Sequence, residues 1–598
     1  MTYIPPEIDP EILARCRRDN PEAAFLSDWQ VYSANLVLFA ISSKAFGMDT
    51  GPKYIPMPTG AGKTTGAIWG IVNVVQEFPE KRICFLTPYT ASVDHVHAAL
   101  VQKLGAALVG MYYSEAFESK QDALSKQVVV LTHQFVQYNK GALDDRDIFI
   151  VDEAIHSTGE ASLTLVKFAE AQEWATKHNV LPREFEAANA FANDLYRKLQ
   201  NSDDRFYAAE NNKKYSWAVA ISQLSLIDHY QTLVADNPLQ DIKTFCEALL
   251  LGFVFLDRGQ TTAKSYNPTF NAAVLGIPKL DNTIILSATG GLMYDIGEKI
   301  TESSATKVYW TAPNYGKLKL VKLPDPLIGG HYRDWKSSQV KQKVVNYLEW
   351  LLGDIPEQEV YLTLPLQVIK NCLREYFDLG SDKDMLLPKV ISKHGKTINL
   401  SHHALSIGSN KFKDCKAVIY LWDNHLPRNV PVKRVHTLSD EPVTEDTLLD
   451  ANERTLKGPY ARMRDAAYVD NIIQQMGRGS MCQISADGHI GEMSAYLLVR
   501  PNDFLRLPVV MRGCMVEEKT GYGTTQTTSS RIGKIIEYLT QQATGQDIPA
   551  SDVQAATGVE IKKVKGQLQG DWDIVTLGYQ FDAGSKGRGK GAIFKWVG

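Results

Sequence analysis

Residues 57–66 read MPTGAGKTTG. They follow an extended stretch, PKYIP (52–56), and lead into TGAIWGIVNVVQEF (65–78), whose apolar residues recur at helical spacing. Strand, glycine-rich turn and helix, in that order, form the context in which a loop wraps a phosphate. Gly60 and Gly62 let the backbone curl so that amide N–H groups point at an anion. Lys63 adds a point charge to the phosphates, and the Thr64 hydroxyl is a ligand for Mg²⁺. Ala61 and Thr65 complete the expected nucleotide-binding set. The strict pattern has glycine six residues before the lysine, where this chain has Met57.

Downstream, IFIVDEAIH (148–156) is an apolar strand ending in two carboxylates. At that distance from a phosphate loop, Asp152 suits the metal shell, and Glu153 suits a base that polarises an attacking water. Other short apolar strands, ICFLTPY (83–89) and VVVLTH (128–133), alternate with helical patterns between 25 and 155. Such alternation builds a parallel sheet covered by helices on both faces. From 157 to 278 the strand rhythm stops, and LPREFEAANAFANDLYRKLQ (181–200) is helical in pattern. The apolar run ALLLGFVFL (248–256) reads as a buried helix, being half the length of a membrane span. Strands resume at NTIILSATG (282–290), and a second set comes after them with VYLTLP (360–365), AVIYLW (417–422) and AYLLVR (495–500).

With 598 residues the chain is long enough for about four domains. Lys+Arg is 64 against Asp+Glu 68, a net charge of −4 that excludes a wholly basic nucleic-acid coat protein. The 10% aromatic content excludes disorder on a whole-chain scale. The seven cysteines are scattered, with no CxxC pair and no cluster-ligand spacing, so reduced thiols are expected and an iron–sulfur cluster is not. The N-terminus has no apolar signal core, and the expected compartment is the cytoplasm, with no membrane partner.

PTGAGKT, then DEA, then SAT (287–289), then QQMGRG (474–479) resembles the ordered motif set of superfamily 2 helicases. The resemblance covers roughly residues 25–510. It implies an α/β fold of two RecA-like P-loop NTPase domains with ATP between them. It also implies Gln30 as an adenine-reading glutamine, Gln474 as a nucleotide contact and Arg478 as the arginine finger on the γ-phosphate. Thr87 and Thr132 take the positions of strand-contacting residues, and Ser409 lies in the segment resembling motif V. A helical insertion between motifs II and III resembles the arch of the XPD/DinG-like group. Only Cys84 lies between Lys63 and Asp152, so the resemblance is to a relative without the iron–sulfur cluster, like the DinG-like helicases beside some CRISPR systems and mobile elements. Two further departures are Ile155 in motif II and Met481 in motif VI, where the pattern has a second arginine. The adjacent His402 and His403 have no third ligand near them, and a metal site there is not expected.

The last 68 residues read as a separate winged helix after the Gly/Ser/Thr-rich stretch EEKTGYGTTQTTSS (517–530). RIGKIIEYLTQQ (531–542) is amphipathic; Ser551 is the expected N-cap of the next helix, Thr557–Gly558 the turn, and a second helix starts near Val559, bearing Lys562, Lys563 and Lys565. Two strands come next, joined by a glycine-rich loop with Lys586, Arg588 and Lys590, cations suited to phosphate contacts.

The expected boundaries are 1–24 for an N-terminal segment, then 25–156 with 279–312 for the first RecA-like domain and 157–278 for the arch-like insertion. The second RecA-like domain is expected at 313–512, a linker at 513–530 and the winged helix at 531–598. The expected activity is that of an ATP- and Mg²⁺-dependent DNA helicase moving on single-stranded or forked DNA, 5′→3′ by resemblance. Two alternatives stay open: a nucleic-acid-stimulated ATPase or translocase without unwinding, also on RNA, and a nucleotide-gated DNA-binding adaptor. A protein partner of the winged helix or the insertion is also open.

Overall fold

The computed structural model describes residues 8–48, 51–113, 118–138, 140–153, 158–201, 206–208, 215–224, 238–251, 254–257, 269–275, 280–287, 306–307, 312–325, 335–380, 388–403, 412–423, 430–433, 435, 456, 458–519, 522, 531–540, 542, 546–568, 574, 579–583 and 591–596. The chain divides into two compact units, Met1–Lys519 and Thr520–Gly598.

The first strands are β1 (Lys53–Ile55), β2 (Ile83–Thr87), β3 (Val109–Tyr112), β4 (Val128–Thr132) and β5 (Ile148–Asp152). The chain then leaves through β6 (Thr158–Leu163), β7 (Phe206–Ala208), β8 (Val254–Asp257) and β9 (Thr269–Leu275), and returns as β10 (Thr283–Leu286) and β11 (Thr306–Lys307). A parallel seven-stranded sheet has the order β11-β1-β10-β5-β2-β4-β3. Its central strands are buried along their length, as a sheet covered on both faces requires.

A second seven-stranded sheet comprises β12 (Leu318–Lys322), β13 (Glu359–Leu364), β14 (Lys389–Lys393), β15 (Lys396–His402), β16 (Ala417–Leu421), β17 (Met493–Leu498) and β18 (Met515–Glu518). Its order is β14-β15-β13-β16-β17-β12-β18, parallel except for the β14–β15 hairpin. The two sheets are the cores of two RecA-like domains, and one apolar cluster spans both. β18 carries the second sheet to residue 518, so the segment expected as a linker from 513 begins as an edge strand.

The insertion is not purely helical. Its helices, Leu165–His178, Pro182–Gln200, Ser216–Ser222 and Leu239–Leu251, pack on an antiparallel sheet ordered β6-β9-β8-β7. The ALLLGFVFL run is divided: the helix ends at Leu251 and β8 begins at Val254. A short apolar run has the same hydropathy in a buried strand as in a buried helix, so periodicity could not separate them. Phe255 of β8 is buried against Val432, Val435, Leu456, Tyr460, Met463 and Ala466 of the second RecA-like domain. Beside it, the buried Lys433 donates to Ser162 Oγ of β6 at 3.2 Å. The insertion therefore packs directly on the second domain.

In the second unit, helices Arg531–Thr540, Ala550–Thr557 and Ile561–Leu568 share an apolar core with β19 (Ile548–Pro549), β20 (Tyr579–Asp582) and β21 (Ile593–Trp596). The middle helix is capped at Pro549, not Ser551, which lies one residue inside it and bonds Asp552. Gly558 ends that helix at φ 68, a left-handed conformation that suits glycine, and the next helix begins at Ile561, two residues after Val559. Lys562, Lys563 and Lys565 are exposed, and Lys563 pairs with Glu560. Lys586, Arg588 and Lys590 lie outside the described residues, as does Ser409.

Candidate active site

Sheet register brings the sequence signatures together. Ile55 pairs with Leu286, and Leu286 with Asp152, so the ends of β1, β10 and β5 form one row. Because the strands are parallel, the loops after them all leave from the same edge, where open α/β sheets bind ligands. That edge carries the loop before Lys63, the Asp152–Glu153 pair and Ser287.

The loop turns twice through left-handed conformations, at Gly60 (φ 84) and Gly62 (φ 88), and the helix Lys63–Glu77 starts immediately after. The first bond back into that helix is Gly66 N–H to Gly62 O, so the amides of Lys63, Thr64 and Thr65 have no acceptor within it. Such a terminus attracts an anion through aligned peptide dipoles. Lys63 is buried and folds back over the loop, donating to Met57 O at 2.8 Å and Pro58 O at 3.0 Å. Burial lowers its pKa, opposed by the negative charges of Glu153 and Asp152.

Asp152 ends β5, and burial together with the charge of Glu153, opposed by Lys63 and Arg478, pushes its carboxyl up to about 7. This cluster of two half-buried acids and two buried bases gives its carboxylates less solvation than they would have in water. A divalent cation would replace that lost solvation at the carboxylates with direct ligation. Glu153 has φ 61, unusual for a residue with a side chain, and its N–H bonds Leu286 O at 2.7 Å. The backbone thus turns as it leaves the sheet and lifts the carboxylate towards the second domain.

From that domain the helix Gly458–Met476 delivers Gln474, whose Nε2 donates to Glu153 Oε2 at 2.8 Å. Its neighbour Gln475 locks the helix end to its own sheet. It accepts from Tyr361 OH and donates to His403 O, both at 2.6 Å. Arg478 comes just after and is buried, and its Nε has no hydrogen-bond partner among the described residues. An orphaned guanidinium N–H whose charge reaches the buried Lys63 fits a phosphate group. The residues present therefore fit ATP with a divalent metal.

Gln30 caps its own helix: Ser27 N–H donates to its Oε1 at 3.1 Å, and its Nε2 donates to Gly60 O at 2.8 Å. It is tied to the phosphate loop on one side and to Ser27 on the other. Thr87 and Thr132 are paired neighbours at the ends of β2 and β4, and both are buried, so their hydroxyls are not presented on a surface. His403 uses both ring nitrogens, towards Thr363 Oγ1 (3.0 Å) and Trp422 O (2.7 Å), and burial lowers its pKa to about 3. It is a neutral core histidine with no lone pair left for a metal. Met57 and Met481, two of the departures from the helicase pattern, are both buried in the cluster spanning the two domains.

Sequence reading missed three residues at this cleft. Asp470 is buried one helical turn before Gln474, and its charge acts on Lys63. The spacing 470, 474 places both on one face of the helix, and Arg478 comes in the turn just past its end, a signal available in the sequence. Tyr89, after Thr87 and Pro88, feels the charges of Glu153, Asp470 and Arg478, and loss of solvation raises its pKa. Thr59 Oγ1 lies 3.5 Å from Gln474 Oε1, and nothing in the sequence marks that contact.

Residues 44–166 match the DEAD/DEAH box helicase family. The matched segment holds Lys63, Asp152 and Glu153, and the match supports a superfamily 2 helicase that hydrolyses ATP. No curated protein matches the sequence. Among solved structures, an XPD helicase is 13% identical, with a TM-score of 0.44 over 83% of this chain and 100% of that one. S. cerevisiae Dbp5 bound to RNA and ADP BeF3 is 12% identical, with a TM-score of 0.40 over 86% and 94%. The DUF1998 helicase MrfA bound to DNA is 12% identical, with a TM-score of 0.33 over 87% of this chain and 52% of that one. Among the described residues no helix is long and apolar enough to cross a membrane.

Proposed function

We propose that the protein is an ATP- and Mg²⁺-dependent DNA helicase of the XPD/DinG-like kind without an iron–sulfur cluster. The observation that carries the motor reading is the Gln474–Glu153 hydrogen bond, which joins motif VI of one RecA-like domain to motif II of the other across the phosphate loop. In this reading the free amides of Lys63, Thr64 and Thr65 bind phosphate together with the Lys63 charge. Thr64 and Asp152 hold the metal, which neutralises phosphate charge when bound. Glu153 takes a proton from the attacking water, Gln474 orients it, and Arg478 stabilises negative charge developing on the transferred phosphoryl group. Gln30 has a direct line to the loop through Gly60 O, so nucleotide contact at Gln30 and loop conformation are linked.

The insertion is proposed to act on the strand as an arch, and its packing on the second RecA-like domain supports motion coupled to that domain. The second unit is proposed as a winged helix that holds duplex DNA through Lys562, Lys563 and Lys565, all exposed, and through Lys586, Arg588 and Lys590. The proposed movement is 5′→3′.

Strand separation and ATP turnover measured in parallel, on 5′-tailed and 3′-tailed DNA and on the matching RNA substrates, test this reading. Unwinding of 5′-tailed DNA is expected. ATP turnover stimulated by nucleic acid without strand separation would replace the helicase by a translocase, and preference for the RNA substrates would overturn the DNA assignment.

A further inference from the structure

The two RecA-like domains meet through glycine as well as through Gln474. Gly477 closes the helix end, its N–H bonding Ile473 O at 2.8 Å, between Gln474 and Arg478 in the sequence. Its φ lies outside the left-handed region, so the backbone there would accept any L-residue. Space is what excludes a side chain. A Cβ at 477 would lie 2.7 Å from Thr59 Cβ, 2.9 Å from its Oγ1 and 3.0 Å from its Cγ2. Thr59 precedes Gly60 in the phosphate loop, and Gly60 in turn faces Cys482, whose carbonyl oxygen a Cβ there would meet at 2.3 Å. The loop that binds phosphate and the turn that carries Arg478 are therefore in bare contact along a short seam.

We infer that Gly477 is a positioning residue that sets how far the nucleotide cleft closes: Thr59 seats on its bare, buried Cα, and that seat brings Gln474 to Glu153 and Arg478 to the phosphates. Gly477 touches no reacting group, and it acts through the two residues that do. The inference rests on the motor reading and adds a determinant of closure that no motif role covers. Ordinary carbon contacts fall at about 3.5–4 Å, so an alanine methyl must push the seam apart by roughly 1 Å. Displacements of about 1 Å in catalytic groups cost on the order of 100-fold in rate. Binding of ATP by the phosphate loop and Lys63 is confined to the first domain and should survive.

The test is a double-mutant cycle on the full chain, reading kcat with saturating single-stranded DNA and, separately, equilibrium ATP affinity. Gly477→Ala is expected to lower kcat about 10- to 100-fold and to change ATP affinity by less than about 3-fold, well under one decade of binding. In the Thr59→Gly background, where the opposing side chain is gone, Gly477→Ala should have almost no further effect. Thr59→Ile enlarges the other wall of the same seam and should reproduce the kcat loss should Gly477→Ala fold poorly. A Gly477→Ala loss of equal size in both backgrounds, or parental turnover in both Gly477→Ala and Thr59→Ile, would overturn the inference alone. A parent chain with no ATP turnover would overturn the motor reading and this inference with it.

Discussion

Gln474→Ala removes one amide that bridges two domains, and its cost can be worked from the geometry. The Nε2–Oε2 distance to Glu153 is 2.8 Å, and Gln474 is buried, so water does not replace the lost donor freely. A hydrogen bond to a charged group contributes about 1.5–3 kcal/mol. Were that bond made only in the catalytically competent arrangement, its loss would lower kcat about 10- to 150-fold at 1.36 kcal/mol per decade. ATP affinity should hold, because Lys63 and the helix amides that meet phosphate lie on the other domain. Steady-state ATP hydrolysis with saturating single strand gives kcat, and equilibrium nucleotide binding gives the second number. A kcat within about 3-fold of the parent would refute the orienting role, since a lost hydrogen bond of that strength costs at least a decade. So would a loss confined to ATP affinity.

Other perturbations separate the parts of the molecule. His403 stays neutral in the fold with a pKa near 3, well below its unfolded value of 6.5. The unfolded chain therefore binds the proton first, and stability falls as pH drops below 6.5. By pH 5 this one group costs about 2 kcal/mol, and the fall in melting temperature between pH 7.5 and 5 should shrink in His403→Gln; an unchanged difference would refute the assignment. Phe255→Ala should weaken the insertion's packing on the second RecA-like domain by about 3–5 kcal/mol, seen as faster hydrogen exchange in the Gly458–Met476 helix. Replacing Lys562, Lys563 and Lys565 together by Ala should lower the salt slope of duplex binding by up to about 0.9 per lost phosphate contact, similarly for unrelated sequences. A slope equal to the parent's would turn that helix into a surface for another partner.

Much of the cleft was legible because its signatures sit at the ends of apolar strands. Once β1, β5 and β10 are neighbours in a parallel sheet, Lys63, Asp152 and Ser287 must converge, and only the strand order needed the fold to reveal it. The helical phase of 470 and 474 was likewise written in the sequence, although Asp470 was overlooked there. The insertion's sheet was not legible. β6 is TGEASL, too polar to announce a strand, and β8 hides in an apolar run that continues from a helix. β18 reads MVEE and is exposed at every position, as an edge strand can be, so no alternation marked it off from a linker. Ser551 was a reasonable cap by residue type, but Pro549 precedes it and suits a helix start equally well through its fixed φ. The seam between Thr59 and Gly477 joins residues more than four hundred positions apart, and glycine gives no chemical hint of a contact defined by the absence of a side chain.

The most direct test of the central claim is ATP turnover by the full chain, with and without single-stranded DNA, beside Lys63→Ala. Lys63 is buried with its ammonium held by two carbonyls of the loop it serves, so the variant should fold while losing the charge that meets phosphate. Turnover in the parent that rises on adding the strand, and that disappears in Lys63→Ala with or without it, is the predicted result. Turnover in Lys63→Ala equal to the parent's, or a folded parent that hydrolyses no ATP in the presence of the strand, would contradict the account.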